Sequence, residues 1–487
     1  MMSVEAILKK IPVLSVTGDR EIYFDDIQYD SRKIQKGMAF VAIRGFRVDG
    51  HRFAQSAYDS GARVFFAEDK IQFPHATVVQ VSDTRALLSD IARIFFNYPE
   101  KKMKIVGITG TNGKTTTAYL LYSIFKQAHW RPGLITTVEY FDGEEFRRAE
   151  RTTPESLDLI RLFSQMVNHH LKSVVMEASS HALSLHRVDG IPFIAGVFTN
   201  LGRDHLDFHK TMEDYFQAKF KLFARFSEFQ KAILNLDDPY SRRIMKSTAG
   251  EVFTYSLSDK SATVHHLSHF MDSKGMQVKF AVPSGEIIVQ TALIGEYNIY
   301  NIMAAIAAAV SLGINENFIR EGINQVKNIP GRCERYHSSK GTSIYLDYAH
   351  TPDALKGILR AIWSTKPKNL TVVFGAGGDR DKGKRPEMGK AAGEYADTII
   401  LTNDNPRNED PDQIIDEILA GISDHRKVQI IPDRREAILT ALKHARSKDS
   451  VLIAGKGHED YQEIGERKIP FDDHKIIEEF LMETGKN

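Results

Sequence analysis

Short apolar runs recur along the chain, each closed by turn-forming residues. Near the N-terminus "MAFVAI" (38–43) and "ARVFFAE" (62–68) read as strands between Gly and Asp turns. "KIVGIT" (104–109) is a third, and "KTTTAYLLYSIFKQA" (114–128) after it has helical periodicity. "SVVMEAS" (173–179) and "AGVFTN" (195–200) continue the series. Apolar strands that alternate with helices predict an α/β fold with a parallel sheet covered on both faces. From residue 343 the alternation is regular: strands at 343–349, 370–375, 398–403, 428–432 and 450–455, with helices near 353–364, 387–396, 412–421 and 434–446. That pattern predicts a Rossmann-like domain.

Two polar, proline-containing stretches divide the pattern. "NYPEKKMK" (97–104) suits a linker and "NIPGRCER" (328–335) a second boundary. Three domains are expected, at 1–100, 101–330 and 331–487, which suits a chain of 487 residues. The most apolar run, "IYNIMAAIAAAVSLGI" (299–314), is broken by Asn301 and Ser311 and reads as a buried helix rather than a membrane span.

Composition narrows the class. Apolar residues are 42%, charged residues 26% and net charge +1, so bulk electrostatics gives no sign of a nucleic-acid or membrane partner. Cys333 is the only cysteine, which excludes an internal disulfide framework and a cysteine zinc site. "MMSVEAILKKIPVLSV" lacks a clean signal-peptide core. A cytoplasmic monomer is expected.

Chemistry enters at "GITGTNGKTT" (107–116). Gly113-Lys114-Thr115 matches the end of a phosphate loop, but Ile108 stands where the longer pattern has its first glycine. Gly110 and Gly113 would let the backbone amides of Thr111, Asn112 and their neighbours turn onto phosphate oxygens. Lys114 would reach the β/γ-phosphates and Thr115 would ligate Mg²⁺, at the N-terminus of a helix that includes Thr116. "MEASSHAL" (176–183) and "TNLGRDHLDFH" (199–209) end in polar groups where buried strands should stop, and the helix "DYFQAKFKLF" (214–223) follows. Glu177 is an oxygen ligand candidate for Mg²⁺. His205 and His209, four apart, would permit zinc, but neither an HExxH motif nor cysteines accompany them.

Taken together these segments resemble the Mur ligases, the ATP-dependent amide-forming enzymes of bacterial cell-wall synthesis. The resemblance rests on "YDSRKIQKGMAFVAIRGFRVDGHRFAQSA", "TGTNGKTTT", "TTPE", "MEASSHALSLHRVDG", "FTNLGRDHLDFHKTMEDYFQAK", "GEYNIYN", "DYAHTPDAL", "GGDRDKGKRPEMG", "DNPR" and "GKGHE" in that order. The family's loop is the short Gly-Thr-Asn-Gly-Lys-Thr, which accounts for Ile108. The resemblance implies a UDP-binding N-terminal domain, a central ATP-binding domain and an amino-acid-binding C-terminal domain. It also implies a reaction: the D-glutamate γ-carboxylate of a UDP-N-acetylmuramoyl dipeptide attacks the γ-phosphorus of ATP. An amine then displaces phosphate from the acyl phosphate, so the amine should arrive only once the C-terminal domain swings in.

By resemblance, Thr115, Glu177 and His205 hold the metals and Lys219 is carbamylated by CO₂, since a free ammonium would repel Mg²⁺. The nucleotide-sugar peptide falls to Ser31, Thr152, Thr153, Ser179 and Arg187, although "RTTPE" also reads as a helix cap before Pro154. Asn298, Asn301, Arg332 and Asp347 match adenine-nucleotide contacts. For the incoming amino acid the matched set is Arg380, Asp404, Asn405, Pro406, Arg407, Gly455 and Glu459. "DNPR" and the Arg380 clamp favour meso-diaminopimelate, which has a distal carboxylate, over L-lysine. Leu185, Glu296 and Tyr297 depart from the family pattern. The other readings are the same reaction with L-lysine and a regulatory protein that binds ATP without catalysis.

Overall fold

The structure is a computed structural model that describes residues 1–45, 48–272 and 274–484. Phe46 and Arg47, inside the N-terminal family motif, lie outside the described residues. Two compact units emerge, residues 1–107 with 130–195 and residues 108–129 with 196–487.

In the first unit, strands run in the order Ser15–Thr17, Thr77–Gln80, Val64–Ala67, Met38–Val41, Asp26–Gln28. The first pair is antiparallel and the rest are parallel. Val64–Ala67 is buried at every residue, so the uninterrupted run "VFFA" is a strand covered on both faces. The helix Thr84–Phe95, capped by Asp83, packs against the helix Ser156–Asn168. A second group of strands pairs Phe146–Arg148, Glu139–Phe141, Pro132–Ile135 and Ser173–Glu177, only the last pairing being parallel. The expected linker at 97–104 is a packed turn instead. Pro99 and Glu100 are buried, and Glu100 accepts from Arg93 at 3.0 Å. Glu100 serves an internal ion pair, while Asn97, Lys101, Lys102 and Lys104 face solvent.

In the second unit, Gly113 precedes the helix Lys114–Gln127, which packs against Glu296–Ser311 and Glu316–Gln325. Glu296–Ser311 is the buried, alanine-rich helix expected at 299–314. Among the described residues, no helix is long and apolar enough to cross a membrane. Lys231–Asn235, Glu251–Ser256 and Val264–Asp272 pair in parallel, then Gly275–Val282 and Gly285–Thr291 add antiparallel hairpins that the sequence reading did not foresee.

The C-terminal sheet has the order Glu334–His337, Ser343–Asp347, Ser450–Ala454, Leu370–Phe374, Thr398–Leu401, Val428–Ile430, parallel except for its first pair. Strand alternation splits its core in two. Tyr345, Val372, Phe374, Leu401 and Leu452 meet the helices Pro352–Ser364, Lys384–Tyr395 and Pro411–Leu419. Ile344, Leu346, Val373, Ile400 and Val451 meet Arg434–His444 and Asp473–Thr484. The expected helix–strand alternation holds to within a few residues at each end.

One buried ion pair ties the second face. Arg434 donates Nε and a terminal nitrogen to both oxygens of Asp473 (2.9 and 2.7 Å) and also reaches the Ala454 carbonyl at 3.0 Å, with both side chains fully buried. Truncating Arg434 to Met should lower unfolding free energy by about 3–5 kcal/mol, because Asp473 is left buried and unpaired. Denaturant titration of Arg434→Met against the double variant Arg434→Met/Asp473→Leu checks this, the double variant recovering much of the loss.

Candidate active site

The phosphate loop is held open by its glycines. Gly113 has φ +86°, and a Cβ there would sit 2.2 Å from Asn301 Oδ1. Asn301 donates to Asn298 Oδ1 (3.0 Å) and Asn298 to the Ile294 carbonyl (2.8 Å), so the two asparagines brace the loop from below. Asn112 N donates to Asn200 Oδ1 at 2.9 Å, and the Asn112 carbonyl accepts from Thr199 Oγ1 at 2.7 Å. Thr111 Oγ1 lies 3.2 Å from the Tyr215 hydroxyl, and Thr115 and Thr116 are buried on the helix.

Two lysines converge on one carbonyl. Lys114 Nζ donates to the Gly110 and Thr111 carbonyls (3.0 and 2.8 Å), and Lys219 Nζ donates to the same Gly110 oxygen at 2.6 Å. Lys219 is 1% exposed. Burial, then the neighbouring Lys114 charge, holds it well below the usual lysine range against the pull of Asp204. The helix Met212–Ala224, capped by Thr211, delivers it.

Asp204 is the carboxylate the sequence reading passed over. Its Oδ2 lies 3.3 Å from His205 Nε2 and 3.8 Å from His350 Nε2. Burial pushes its carboxyl up, but His205, His350 and Lys384 outweigh that and keep it well below the usual range. Lys384, nearly buried, is itself lowered by burial, while Asp204 and Asp404 act to raise it. Asp204, His350 and Lys384 all sat inside quoted motifs without being singled out. His209 is buried with its ring 5.0 Å from Tyr215.

Arg332 donates to Thr115 Oγ1 at 3.1 Å and lies over the Tyr348 ring. Asp347 gives both oxygens to backbone amides, Cys333 N at 2.6 Å and Ala349 N at 2.7 Å. It therefore fixes the segment that carries Arg332.

At the carboxyl ends of the C-terminal strands the "DNPR" loop meets "GKGHE". Asn405 donates to Glu459 Oε2 (2.9 Å) and accepts from the fully buried Lys456 (3.0 Å), which also pairs with Glu459 at 3.2 Å. Gly455 has φ +111°, and a Cβ there would lie 2.6 Å from Asp404 Oδ2, so only glycine leaves room for that carboxylate. Burial raises Asp404, but Lys456, Arg434 and Arg407 prevail and hold it below the usual range. The Pro406 carbonyl approaches so near to Gly378 that a side chain there would collide with it. Arg407 is tied to Glu463 (2.7 Å) and the Gly378 carbonyl (2.7 Å), which orients the loop. Arg380 is half exposed and contacts Asp207 at 3.4 Å.

In the first unit, Glu177 is fully buried and accepts from Thr137 N (2.9 Å) and Thr137 Oγ1 (3.0 Å), the latter hydroxyl also meeting Thr152 at 3.1 Å. Thr153 Oγ1 donates to the Glu177 carbonyl (2.8 Å) and meets Ser179 Oγ (3.2 Å), while Arg187 reaches the Thr153 carbonyl at 3.3 Å. Glu155, not a threonine, caps the helix at Ser156, so both threonine hydroxyls serve this chain of contacts. Ser31 is buried in a short turn capped by Asp30, and among the described residues no hydrogen bond joins it to that chain. Leu185 ends the short helix Ser180–Ser184, and Glu296 pairs with Arg360 at 3.6 Å. Asp49, His51 and Asp69 are close enough to share a cation, but His51 is bonded through both ring nitrogens and Arg44 pairs with both carboxylates.

Three family models match separate segments of the chain. Models described as Mur ligase family, catalytic domain, Mur ligase middle domain and Mur ligase, glutamate ligase domain match residues 23–96, 108–309 and 331–457. A protein of Caldanaerobacter subterraneus subsp. tengcongensis named UDP-N-acetylmuramoyl-L-alanyl-D-glutamate--2,6-diaminopimelate ligase is 42% identical over 473 residues, 97% of each chain. One of the same name from Aquifex aeolicus is 45% identical over 455 residues, 93% of each chain. A solved structure with that name is 30% identical, covers 99% of both chains and superposes with a TM-score of 0.69. With its loop, its paired lysines and relatives that match it end to end, the chain belongs to the Mur ligase family.

Proposed function

We propose that the protein is an ATP-dependent amide ligase of peptidoglycan precursor synthesis. It joins meso-2,6-diaminopimelate to the D-glutamate γ-carboxylate of UDP-N-acetylmuramoyl-L-alanyl-D-glutamate. The observation that carries the reading is the convergence of Lys114 and Lys219 on Gly110 within a glycine phosphate loop, in a chain matched end to end by ligases of that name.

In the first step a γ-carboxylate oxygen forms a bond to the γ-phosphorus as the bond to the leaving ADP breaks. The amine nitrogen then bonds to the acyl carbon, the carbon–oxygen bond to phosphate breaks, and the amine loses a proton. The first step brings two anions together and the second passes through an anionic tetrahedral centre, so the positive groups matter most. Lys114 and the loop amides would bind the phosphates, and Arg332 would add a cation beside Thr115. Asn298 and Asn301 hold the loop that binds ATP.

Mg²⁺ prefers oxygen donors with few nitrogens. In the second unit Thr115 would offer a hydroxyl and His205 an imidazole, with the Asp204 carboxyl held well below its usual range beside it. Glu177, a buried carboxylate of the first unit, is a further ligand candidate by resemblance to the family. Lys219 would join them as a carbamate, because burial and Lys114 favour the neutral amine that attacks CO₂, with the nitrogen–carbon bond formed and one proton lost. Bound Mg²⁺ would neutralise the phosphate and carboxylate oxygens.

Thr152, Thr153, Ser179 and Arg187 would bind the nucleotide-sugar peptide, with Ser31 meeting its nucleotide end. Glu459 would receive the distal ammonium of diaminopimelate and Arg380 its carboxylate, while Arg407 keeps Asp404, Asn405 and Pro406 in place.

Two outcomes test the reading. Phosphate release with ATP, Mg²⁺ and the UDP-dipeptide should be much faster with meso-diaminopimelate than with L-lysine. Arg380→Ala should raise KM for diaminopimelate about 10- to 100-fold while leaving KM for ATP close to wild type. A preference for lysine would overturn the acceptor assignment, and no release with either would overturn the ligase.

Lys219→Arg should lower kcat by about 10²- to 10³-fold. In ¹³C-bicarbonate the wild type should show a carbamate resonance that the variant lacks. The resonance should fade as pH falls, since protonation removes the amine that reacts. An unlabelled but fully active wild type would remove the carbamate from the mechanism.

A further inference from the structure

Three arginines surround one carboxylate beside the "TTPE" segment. Glu155 Oε2 lies 3.2 Å from Arg187, 3.4 Å from Arg85 and 3.6 Å from Arg151. Glu155 and Arg187 are largely buried and Arg85 is 19% exposed, so solvent screens this surplus of positive charge only in part. Asp158, one turn on, is already engaged by Tyr29 (2.5 Å) and Arg161 (3.6 Å).

A single carboxylate satisfies one guanidinium fork, so holding Glu155 in place does not call for three. The Nε of Arg187 is buried without hydrogen-bond geometry to any partner among the described residues, despite its 3.2 Å approach to Glu155. Burial and the charges of Arg151 and Arg85 lower the Arg187 guanidinium, against the pull of Glu155. Arg85 also stands in the first turn of the helix Thr84–Phe95, where the helix dipole disfavours a cation. Three guanidinium groups thus share the one Glu155 carboxylate, which leaves positive charge to receive a second anion. Arg187 reaches the Thr153 carbonyl, which places the cluster at the residues assigned to the nucleotide-sugar peptide.

We propose that Arg85, with Arg151 and Arg187 around Glu155, forms an anion subsite that receives a charged group of the UDP-N-acetylmuramoyl dipeptide. Arg85 is thus a further binding residue for that substrate, and this inference rests on the ligase reading. The anion is a phosphate of the UDP moiety or a carboxylate of the dipeptide.

Steady-state kinetics of Arg85→Gln and Glu155→Gln provide the test. Arg85→Gln should raise KM for the UDP-dipeptide about tenfold, with kcat within about twofold and KM for ATP unchanged. Its KM should also respond less steeply to salt than that of the wild type. Glu155→Gln removes the competing carboxylate and should lower that KM, whereas a purely structural clamp predicts that both variants bind worse and melt earlier. Calorimetric titration with UDP, UDP-N-acetylmuramate and the dipeptide separates the two anion sources. A loss already present with UDP assigns the phosphates, and a loss confined to the dipeptide assigns a carboxylate. An active wild type with unchanged KM in Arg85→Gln overturns this inference alone. An inactive wild type overturns the ligase reading and the inference with it.

Discussion

Burial and the neighbouring Lys114 charge both disfavour the charged form of Lys219 where the two side chains meet on one carbonyl, and the chemistry of the phosphate loop follows from that constraint. Lys114 and Lys219 both donate to Gly110. Lys114 keeps a second carbonyl, that of Thr111, whereas Lys219 is enclosed by the loop and the Tyr215 ring and loses its charge most readily. A neutral buried amine is a nucleophile toward CO₂. Conversion to a carbamate would exchange a repelled cation for an anion beside Lys114, turning an unfavourable pair into a favourable one and supplying oxygens where a divalent cation is needed.

Contacts between the loop region and the C-terminal sheet differ in kind from contacts within that sheet. Arg203 pairs with Asp381 (2.8 and 3.1 Å) and Arg380 with Asp207 (3.4 Å), and both arginines are about half exposed. Exposed pairs of this sort contribute at most about 1 kcal/mol each. Arg434 with Asp473, and Arg385 with Glu409 and Glu417, are buried on the arginine side and hold the C-terminal sheet and its helices rigid. Strong ties within and weak ties across suit an enzyme in which the amine must be admitted after the acyl phosphate forms. Asp204 is the exception, a buried carboxylate that faces His205 from its own loop and His350 and Lys384 from the C-terminal part.

Much of this was legible in the sequence because the signals were local. A strand, a glycine loop and a helix follow one another from 104 to 127, and the C-terminal strands and helices alternate so regularly that their positions could be read to within a few residues. What escaped depended on contacts between distant segments. Asp204, His350 and Lys384 are charged residues in polar motifs, and only tertiary proximity shows them sharing one buried charge. Glu155 lay in a segment that reads as a cap and Arg85 was not singled out, because only the fold brings Arg187, about a hundred residues from Arg85, onto the same carboxylate. The polar stretch at 97–104 misled for the converse reason. Its lysines are exposed as expected, but Glu100 is buried against Arg93 and Pro99 is buried beside it, so the stretch packs despite its polarity.

Charge balance at the "DNPR" loop bears on the choice of amino acid. Lys456 engages Glu459, Arg407 engages Glu463, and Lys456, Arg434 and Arg407 act on Asp404, so none of these three carboxylates lacks a cation. A side chain that ends in a lone ammonium would need surplus negative charge, but Lys456 already engages Glu459, and the Asn405 amide occupies the same oxygen. A zwitterionic end fits a balanced site better. Its ammonium would share Glu459, whose other oxygen is held at 3.2 Å by Tyr348, while its carboxylate would draw on a cation that is not buried in a pair. Arg380 meets that description, because its contact with Asp207 is long and half exposed, so a substrate carboxylate can displace it at small cost. Discrimination between diaminopimelate and lysine would then lie less in a new attraction than in the charge that lysine leaves uncompensated.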